Sequence, residues 1–295
     1  MTSFPLTTIF TPTFNRRHTI DRLFKSLLKQ TSTNFEWIVI DDGSTDNTDS
    51  YFSEIQTKIQ PFPIKYIKKK NGGKHRAIND AVKIAQGKLF FIVDSDDYLV
   101  PEAIKKIEYW LASLDTSHKW AGIAGIRGLS QTESVGDKKF QTLFIDAKNT
   151  ERRRFHLGGD KAEIYFTEVL KKYPFPEIDG ENFLTEEIVW NAIARDDYYL
   201  RWYNEIIYIC EYLDDGLSKN LSKIEEKNPQ GVLLWVKEQL KAYPNDSREK
   251  IFSIVAYYNA VKKHKTLGNI AKELEISKLY LLLSIVSFKI AKAIH

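Results

Sequence analysis

Short apolar runs alternate with amphipathic helical stripes along residues 6–111, and this order constrains the fold more than any other feature of the chain. Runs of the strand type occupy 6–11, 35–40, 64–67 and 89–93. Apolar residues at helical spacing occupy 20–28, 51–59, 77–85 and 101–111. A repeated β-α order of this kind predicts an α/β fold, with a mostly parallel sheet that is covered by helices on both faces.

The remainder of the chain divides into two parts of different character. A further strand is predicted at 121–129, followed by a polar segment at 133–159 that holds at most a short strand at 142–145. From Ala162 the apolar and aromatic spacing predicts helices, and beyond Gly216 nearly every pattern is helical. We therefore predict two domains, 1–217 with the sheet and 218–295 built of helices.

Acidic clusters follow two of the predicted strands. Residues 38–40 run into Asp41-Asp42-Gly43-Ser44, and residues 92–93 run into Asp94-Ser95-Asp96-Asp97. Ligands of open parallel sheets bind beyond the carboxyl ends of the strands. Crowded carboxylates repel one another unless a cation or hydrogen-bond donors relieve them, and their hard oxygens suit Mg²⁺ or Mn²⁺. Such residues also form turns and helix caps, but two clusters at successive strand ends favour a ligand site with a divalent metal at this edge.

Composition and missing motifs exclude several other classes. The formal charge of +4 is too small to indicate a nucleic-acid partner, and a single cysteine rules out an intrachain disulfide. No G-x-x-x-x-G-K-[ST] phosphate loop is present. The N-terminal segment does not have the pattern of a signal peptide, and no run of ~18 apolar residues occurs, so we expect a cytoplasmic protein.

Four motifs in order resemble the inverting glycosyltransferases of the GT-A fold that are often called family 2. They are the first loop with Pro12, Phe14 and Asn15, the Asp41-Asp42 run, the segment Asn71-Gly72-Gly73-Lys74-His75 and the Asp94-Ser95-Asp96 turn. The resemblance covers about the first 110 residues well and continues less closely to about residue 217. The resemblance implies a GT-A-like, Rossmann-related mixed sheet, mostly parallel, followed here by a C-terminal helical domain.

The resemblance also implies roles for these residues. Asp42, with Asp41 beside it, would contact the nucleotide base, and Asp94 would hold the ribose. Asp96 would bind the Mn²⁺ or Mg²⁺ that bridges the two phosphates, with Asp97 supporting it. Lys74 and His75 would face phosphates or the sugar from a helix start.

Inversion requires a base that takes the proton of the acceptor hydroxyl. In the family an acidic pair at a helix start supplies it, and the segment Phe183-Leu184-Thr185-Glu186-Glu187 stands in that place. Because this sequence has Glu-Glu, the choice between Glu186 and Glu187 stays open, with Glu186 favoured. Acidic residues that only stabilise a helix start are the other interpretation.

The predicted function is metal-dependent transfer of a hexose or N-acetylhexosamine from a UDP-sugar to a glycan or lipid-linked saccharide. A non-catalytic sugar-nucleotide-binding or scaffold protein is one alternative. A nucleotidyltransferase is a weaker one, because 11–17 contain no glycine for a phosphate loop. The largely apolar tail 277–295, with three lysines, fits either a helix at the inner face of a membrane or one packed on its own domain or a second subunit.

Overall fold

The computed structural model describes residues 4–136, 140–211 and 220–294. Within those ranges the strands are β1 Thr7–Thr13, β2 Phe35–Asp41, β3 Ile64–Lys68, β4 Leu89–Ile92, β5 Tyr98–Leu99, β6 Lys119–Gly128, β7 Phe144–Ala147, β8 Lys161–Phe166 and β9 Tyr198–Ile209. The helices are α1 Arg17–Leu28, α2 Thr48–Gln56, α3 Lys74–Ile84, α4 Ala103–Ala112, α5 Thr167–Lys172, α6 Glu187–Arg195, α7 Leu221–Lys227, α8 Pro229–Ala242, α9 Ser247–Val261, α10 Leu267–Glu273 and α11 Lys278–Ile294.

These strands form a single sheet in the order β3-β2-β1-β4-β8-β6-β9-β5, with β7 paired to β9. The β1–β2, β2–β3, β1–β4 and β6–β9 pairings are parallel, and the other four are antiparallel. The α/β class is confirmed, but the sheet is mixed rather than mostly parallel. The prediction of helices from Ala162 missed β8, which enters antiparallel between β4 and β6, and it missed the long strand β9.

Side chains alternate between the two faces of the sheet, and both faces are buried. Ile9, Val39 and Phe91 point to one apolar core with α1, α2 and α4, whereas Phe10 and Phe90 point to a second core with α3, α5 and α6. Burial on both sides explains why these strands read as continuous apolar runs rather than as alternating ones. It also leaves the carboxyl ends of β1, β2 and β4 as the place where polar side chains collect.

Helices α7 to α11 follow the sheet and include a separate apolar core, which contains Val236, Ile254 and Leu281. Helix α8 packs against α6, so this helical part adjoins the α/β part. The predicted boundary at 217/218 lies outside the described residues and stays a prediction. Among the residues that are described, no helix has the length and apolar character needed to cross a membrane.

Candidate active site

The loop after β1 is fastened to the loop after β2. Asn15 adopts a left-handed backbone conformation (φ 53°), its N–H donates to Ser44 Oγ at 2.9 Å, and its Oδ1 accepts from Thr45 N at 2.8 Å. Pro12 lies in β1 opposite Ile40, and Phe14 is 47% exposed. The predicted first-loop residues therefore border the acidic end of β2, and Phe14 presents an aromatic ring to solvent there.

Asp41 and Asp42 are both buried and hydrogen-bonded. Asp41 accepts from Ser44 N at 2.7 Å and from the Tyr66 hydroxyl at 2.6 Å. The two oxygens of Asp42 accept from Gly72 N at 2.9 Å and Gly73 N at 2.7 Å. Burial raises the pKa of Asp42, and the two glycine N–H groups partly offset this. Asp42 thus ties the β2 end to the start of α3.

The turn before α3 packs directly on the segment that precedes α6. Gly73 has φ 94°, and a Cβ at this position would lie 2.0 Å from the carbonyl oxygen of Asn182. Asn71 donates to the Asp42 carbonyl at 2.9 Å and accepts from Asn182 Nδ2 at 3.3 Å. Only glycine fits here, because both the backbone conformation and the close approach exclude a side chain.

Lys74 joins two of the predicted functional carboxylates. Its Nζ lies 2.7 Å from Asp94 Oδ1 and 2.8 Å from Glu186 Oε1. Burial opposes the charged ammonium, but the charges of Asp94 and Glu186 outweigh it and raise the pKa of Lys74. Burial alone would raise the pKa of Asp94, but the charges of Lys74 and Arg127 lower it. The three side chains form an ion-pair network in which Lys74 contacts both acidic residues.

The Asp-x-Asp turn contains one carboxylate that is suited to a cation. The distance between Arg16 Nε and Asp96 Oδ2 is 3.8 Å, which is too long for a hydrogen bond. Burial, together with the charge of Asp94, raises the pKa of Asp96. The Asp96 carbonyl accepts from the Arg22 guanidinium. A divalent cation would relieve the disfavoured charge of Asp96, so this residue fits the predicted metal ligand.

Asp97 and Ser95 face inward from the same turn. Asp97 accepts from the Tyr208 hydroxyl at 2.6 Å and from Glu211 N at 2.9 Å, while burial and the charge of Asp94 raise its pKa to about 7. Ser95 is 5% exposed. The described residues contain no cluster of three or more His, Cys, Asp or Glu side chains that could hold a metal.

The two adjacent glutamates face different partners. Glu186 points to Lys74, whereas Glu187 Oε2 accepts from the indole N–H of Trp235 on α8 at 2.8 Å. The segment before them is held by the same helix, because Glu181 accepts from Gln230 N at 2.8 Å and Gly231 N at 2.7 Å. The C-terminal helices thus hold the segment that carries both glutamates.

His75 is buried beside this network. Its ring is 2% exposed, its Nδ1 has no hydrogen-bond partner, and burial lowers its pKa to about 4. The imidazole is therefore neutral near pH 7. In the neutral state the ring carries no positive charge for a phosphate. If His75 contacts a phosphate as predicted, it does so through a hydrogen bond only.

Two residues of the site were missed by the sequence reasoning. Arg127 on β6 lies 3.7 Å from Asp94 Oδ2, and its guanidinium stacks 4.3 Å from the ring centre of Tyr208 on β9. The Tyr208 hydroxyl accepts a hydrogen bond from the backbone N–H of Asp94 at 3.0 Å. A lone arginine in the otherwise apolar and small-residue stretch 121–128 was the available signal. Tyr208 gave none, because its strand was not predicted.

Comparison with known families gives one match to a family model. The model described as "Glycosyl transferase family 2" matches residues 8–172, which is more than half of the chain. That range includes the ends of β1, β2 and β4, the turn before α3 and the Asp-x-Asp turn. It ends before Glu186 and Glu187.

Curated relatives resemble parts of the chain. The chondroitin synthase of Escherichia coli is 37% identical over 102 residues, which are 34% of this chain and 14% of that protein. The poly(ribitol-phosphate) beta-N-acetylglucosaminyltransferase TarS of Staphylococcus aureus is 33% identical over 176 residues, 55% of this chain. The match spans 30% of the length of TarS, so both relatives are much longer than the region they share with this chain.

Solved structures share the fold over most of the chain. TarS residues 1–349 in complex with UDP-GlcNAc superpose with a TM-score of 0.60 at 18% identity, covering 86% of this chain and 81% of that one. The mannosyltransferase PcManGT from Pyrobaculum calidifontis, in complex with GDP-Man and Mn²⁺, gives 0.57 at 15% identity, covering 97% and 87%. At such identities the likeness shows a GT-A fold and nothing finer.

Proposed function

The chain belongs to glycosyl transferase family 2, and we propose that it transfers a hexose or N-acetylhexosamine from a UDP-sugar to a saccharide or lipid-linked glycan, with inversion at the anomeric carbon. The relative TarS supports a UDP-sugar as the donor, because it is an N-acetylglucosaminyltransferase and one of its structures is in complex with UDP-GlcNAc. The division into a transferase domain, 1–217, and a helical domain, 218–295, is part of this proposal.

One observation carries the proposal, namely the position of Lys74 between Asp94 and Glu186. The two carboxylates come from segments 92 positions apart along the chain, at the end of β4 and at the start of α6. A single ammonium lies within ion-pair distance of both on one side of the sheet. An enzyme that binds a sugar nucleotide and deprotonates an acceptor needs a carboxyl group next to the donor site in this way.

On the donor side, Asp42 contacts the nucleotide base and Asp94 contacts the ribose. Hydrogen bonds from Gly72 and Gly73 orient Asp42, and each carboxylate oxygen has a second lone pair for a ligand donor. Arg127 adds a positive charge beside Asp94 and is a further candidate for holding the diphosphate or the sugar. Asn15 and Asn71 shape the surrounding loops.

Asp96 is the proposed protein ligand of Mn²⁺ or Mg²⁺. A divalent cation bound there supplies Lewis-acid stabilisation of the charge that develops on the departing diphosphate. The raised pKa of Asp96 supports this assignment, and so does the Mn²⁺ in the PcManGT complex. Asp97 orients the turn through its bonds to Tyr208 and Glu211.

Glu186 is the proposed general base and Glu187 the residue that fixes it in place. Glu186 is ion-paired and partly exposed, so it can accept a proton from a hydroxyl that approaches from solvent. Glu187 instead accepts a hydrogen bond from the Trp235 indole on α8. Their different partners support Glu186 in the open choice between the two.

A direct test is to incubate the protein with UDP-GlcNAc or UDP-glucose, Mn²⁺ and a panel of saccharide acceptors. We expect UDP release that increases with the correct acceptor, and a product of inverted anomeric configuration by NMR. Binding of UDP-sugars without UDP release, with or without acceptors, would instead support the non-catalytic alternative. Release of pyrophosphate from UTP and a sugar phosphate would support a nucleotidyltransferase.

A further inference from the structure

Helix α11 has two apolar faces, and one of them is in contact with solvent. Leu281, Ser284 and Ile285 are buried against the helical core, together with part of Phe288. On the opposite side Leu279, Leu283, Val286 and Ile290 are each more than half exposed, and Leu282 lies at their edge. Spacings of three, four and seven residues place these side chains in one continuous stripe along the helix.

The charges of α11 all have the same sign. Lys278, Lys289 and Lys292 are exposed, and residues 278–294 contain no Asp or Glu. By helical periodicity Lys278 and Lys289 fall at one border of the exposed stripe, between it and the packed face, whereas Lys292 lies in the last turn on the side of the packed face. At such a border the aliphatic stem of a lysine lies along apolar surface while its ammonium reaches outward.

We propose that α11 is a membrane-docking surface, which lies in the plane of a bilayer that contains anionic lipids. The exposed stripe would enter the boundary between headgroups and acyl chains by about 5–10 Å, and the lysines would contact lipid phosphates. The helix of 17 residues is about 25 Å long, shorter than the ~30 Å hydrocarbon core, and its packed face is already occupied. It is therefore suited to lie on a membrane rather than to span one.

Charge favours a lipid surface over a second copy of the chain. Antiparallel pairing of two α11 helices through their stripes would bring lysines of both copies to one side of the interface, and in either orientation α11 has no acidic residue to neutralise them. Anionic headgroups provide the missing opposite charge. Each lysine close to such a surface strengthens binding by about fivefold.

The proposal is tested by sedimentation of the full chain with vesicles of phosphatidylcholine alone or mixed equally with phosphatidylglycerol. The wild type should bind the mixed vesicles much more tightly than the neutral ones. Leu279→Ser, Leu283→Ser and Val286→Ser combined should lower this binding at least about tenfold, since each removes apolar area at an exposed position. A matched control with Ile59→Ser, Tyr109→Ser and Leu143→Ser, which are also strongly exposed, should bind as wild type does.

A second set of variants tests the charge. Lys278→Gln, Lys289→Gln and Lys292→Gln combined should weaken binding to mixed vesicles by about a hundredfold and leave binding to neutral vesicles unchanged. The matched control replaces the exposed Lys29, Lys105 and Lys172 by Gln.

Three results would overturn the proposal. One is that wild type does not sediment with the mixed vesicles, and another is that the α11 variants and their controls bind equally. The third is a dimer, seen by analytical ultracentrifugation, that the three α11 serine substitutions abolish and that lipid does not compete away. Circular dichroism and UDP affinity should be unchanged in every variant, because all substituted side chains are exposed and none belongs to the proposed active site.

Discussion

Replacing Lys74 by glutamine removes the positive charge between Asp94 and Glu186 and keeps most of the side-chain length. Two charge-assisted hydrogen bonds, at 2.7 and 2.8 Å, are lost at once. Such bonds each contribute about 1.5–3 kcal/mol, and the lower end applies here because all three side chains are about a quarter to a third exposed. The free energy of unfolding should therefore fall by about 3 kcal/mol.

The same loss should reach catalysis, because Lys74 orients the proposed base and the proposed ribose contact. If about 3 kcal/mol of positioning is absent from the transition state, kcat/KM falls by about a hundredfold. Lys74→Arg keeps the charge but replaces a point charge by a planar fork. It should recover most of the stability and only part of the turnover.

Urea unfolding and steady-state kinetics measure both effects, with Lys106→Gln as the matched control. Lys106 is as exposed as Lys74 and pairs with a single carboxylate, Glu205, at 2.6 Å. Its replacement should lower the free energy of unfolding by about 1 kcal/mol or less and leave turnover unchanged. The reasoning is refuted if Lys74→Gln is no less stable than Lys106→Gln and has normal kcat/KM.

Asp96→Asn should abolish transfer while the fold survives. EDTA should likewise abolish transfer by the wild type, and added Mn²⁺ should restore activity to the EDTA-treated wild type but not to the variant. Full wild-type activity in excess EDTA would contradict the metal assignment. Because burial lowers the pKa of His75 from 6.5 to about 4, the unfolded state binds more protons between these values, so the free energy of unfolding should fall as pH drops from about 6.5 to about 4. The ceiling is about 3 kcal/mol, reduced by solvent screening, and His75→Asn should flatten that part of the urea-unfolding profile if the assignment is correct. Glu181→Gln disturbs the two hydrogen bonds to the start of α8. It should lower kcat by about tenfold and leave the UDP-sugar affinity, measured by calorimetry, nearly unchanged. An equal loss of kcat and of UDP-sugar affinity would mean that Glu181 is only structural.

The acidic end of the sheet was accessible from the sequence because its signals are local. Asp41 ends one strongly apolar run and Asp94 follows another, and their strands β2 and β4 lie parallel on either side of β1, so the carboxyl ends meet at one edge. The β1, β2 and β4 segments were placed to within two residues for the same reason. Such runs are buried on both faces and have no competing pattern.

The second half of the sheet was not accessible in this way. β8 and β9 pair with strands far away in sequence, and their aromatic residues also fit helical spacing. The inserted β8 made the sheet mixed, and β9 brought Tyr208 to Asp97. No local sequence pattern predicts which strands β8 and β9 pair with.

The choice between two adjacent glutamates also required the tertiary structure. Glu186 and Glu187 are neighbours in sequence at the start of α6, and their side chains diverge because Lys74 lies on one side and Trp235 on the other. The first partner is the first residue of α3 and the second comes from α8. The Lys74 contact depends on how the turn before α3 packs on the segment before α6, and the Trp235 contact depends on how α8 packs on α6, neither of which the sequence alone revealed.

The central claim is most directly tested by comparing Glu186→Gln with Glu187→Gln in transfer assays and in UDP-sugar titrations. Glutamine keeps the shape of glutamate but cannot accept the proton, and a general base typically contributes ~10²–10⁴-fold to the rate. We expect Glu186→Gln to lower kcat within that range while UDP-sugar affinity stays near the wild-type value, and Glu187→Gln to have a much smaller effect. Normal turnover by Glu186→Gln, whether or not Glu187→Gln is inactive, would contradict the assignment of Glu186 as the base.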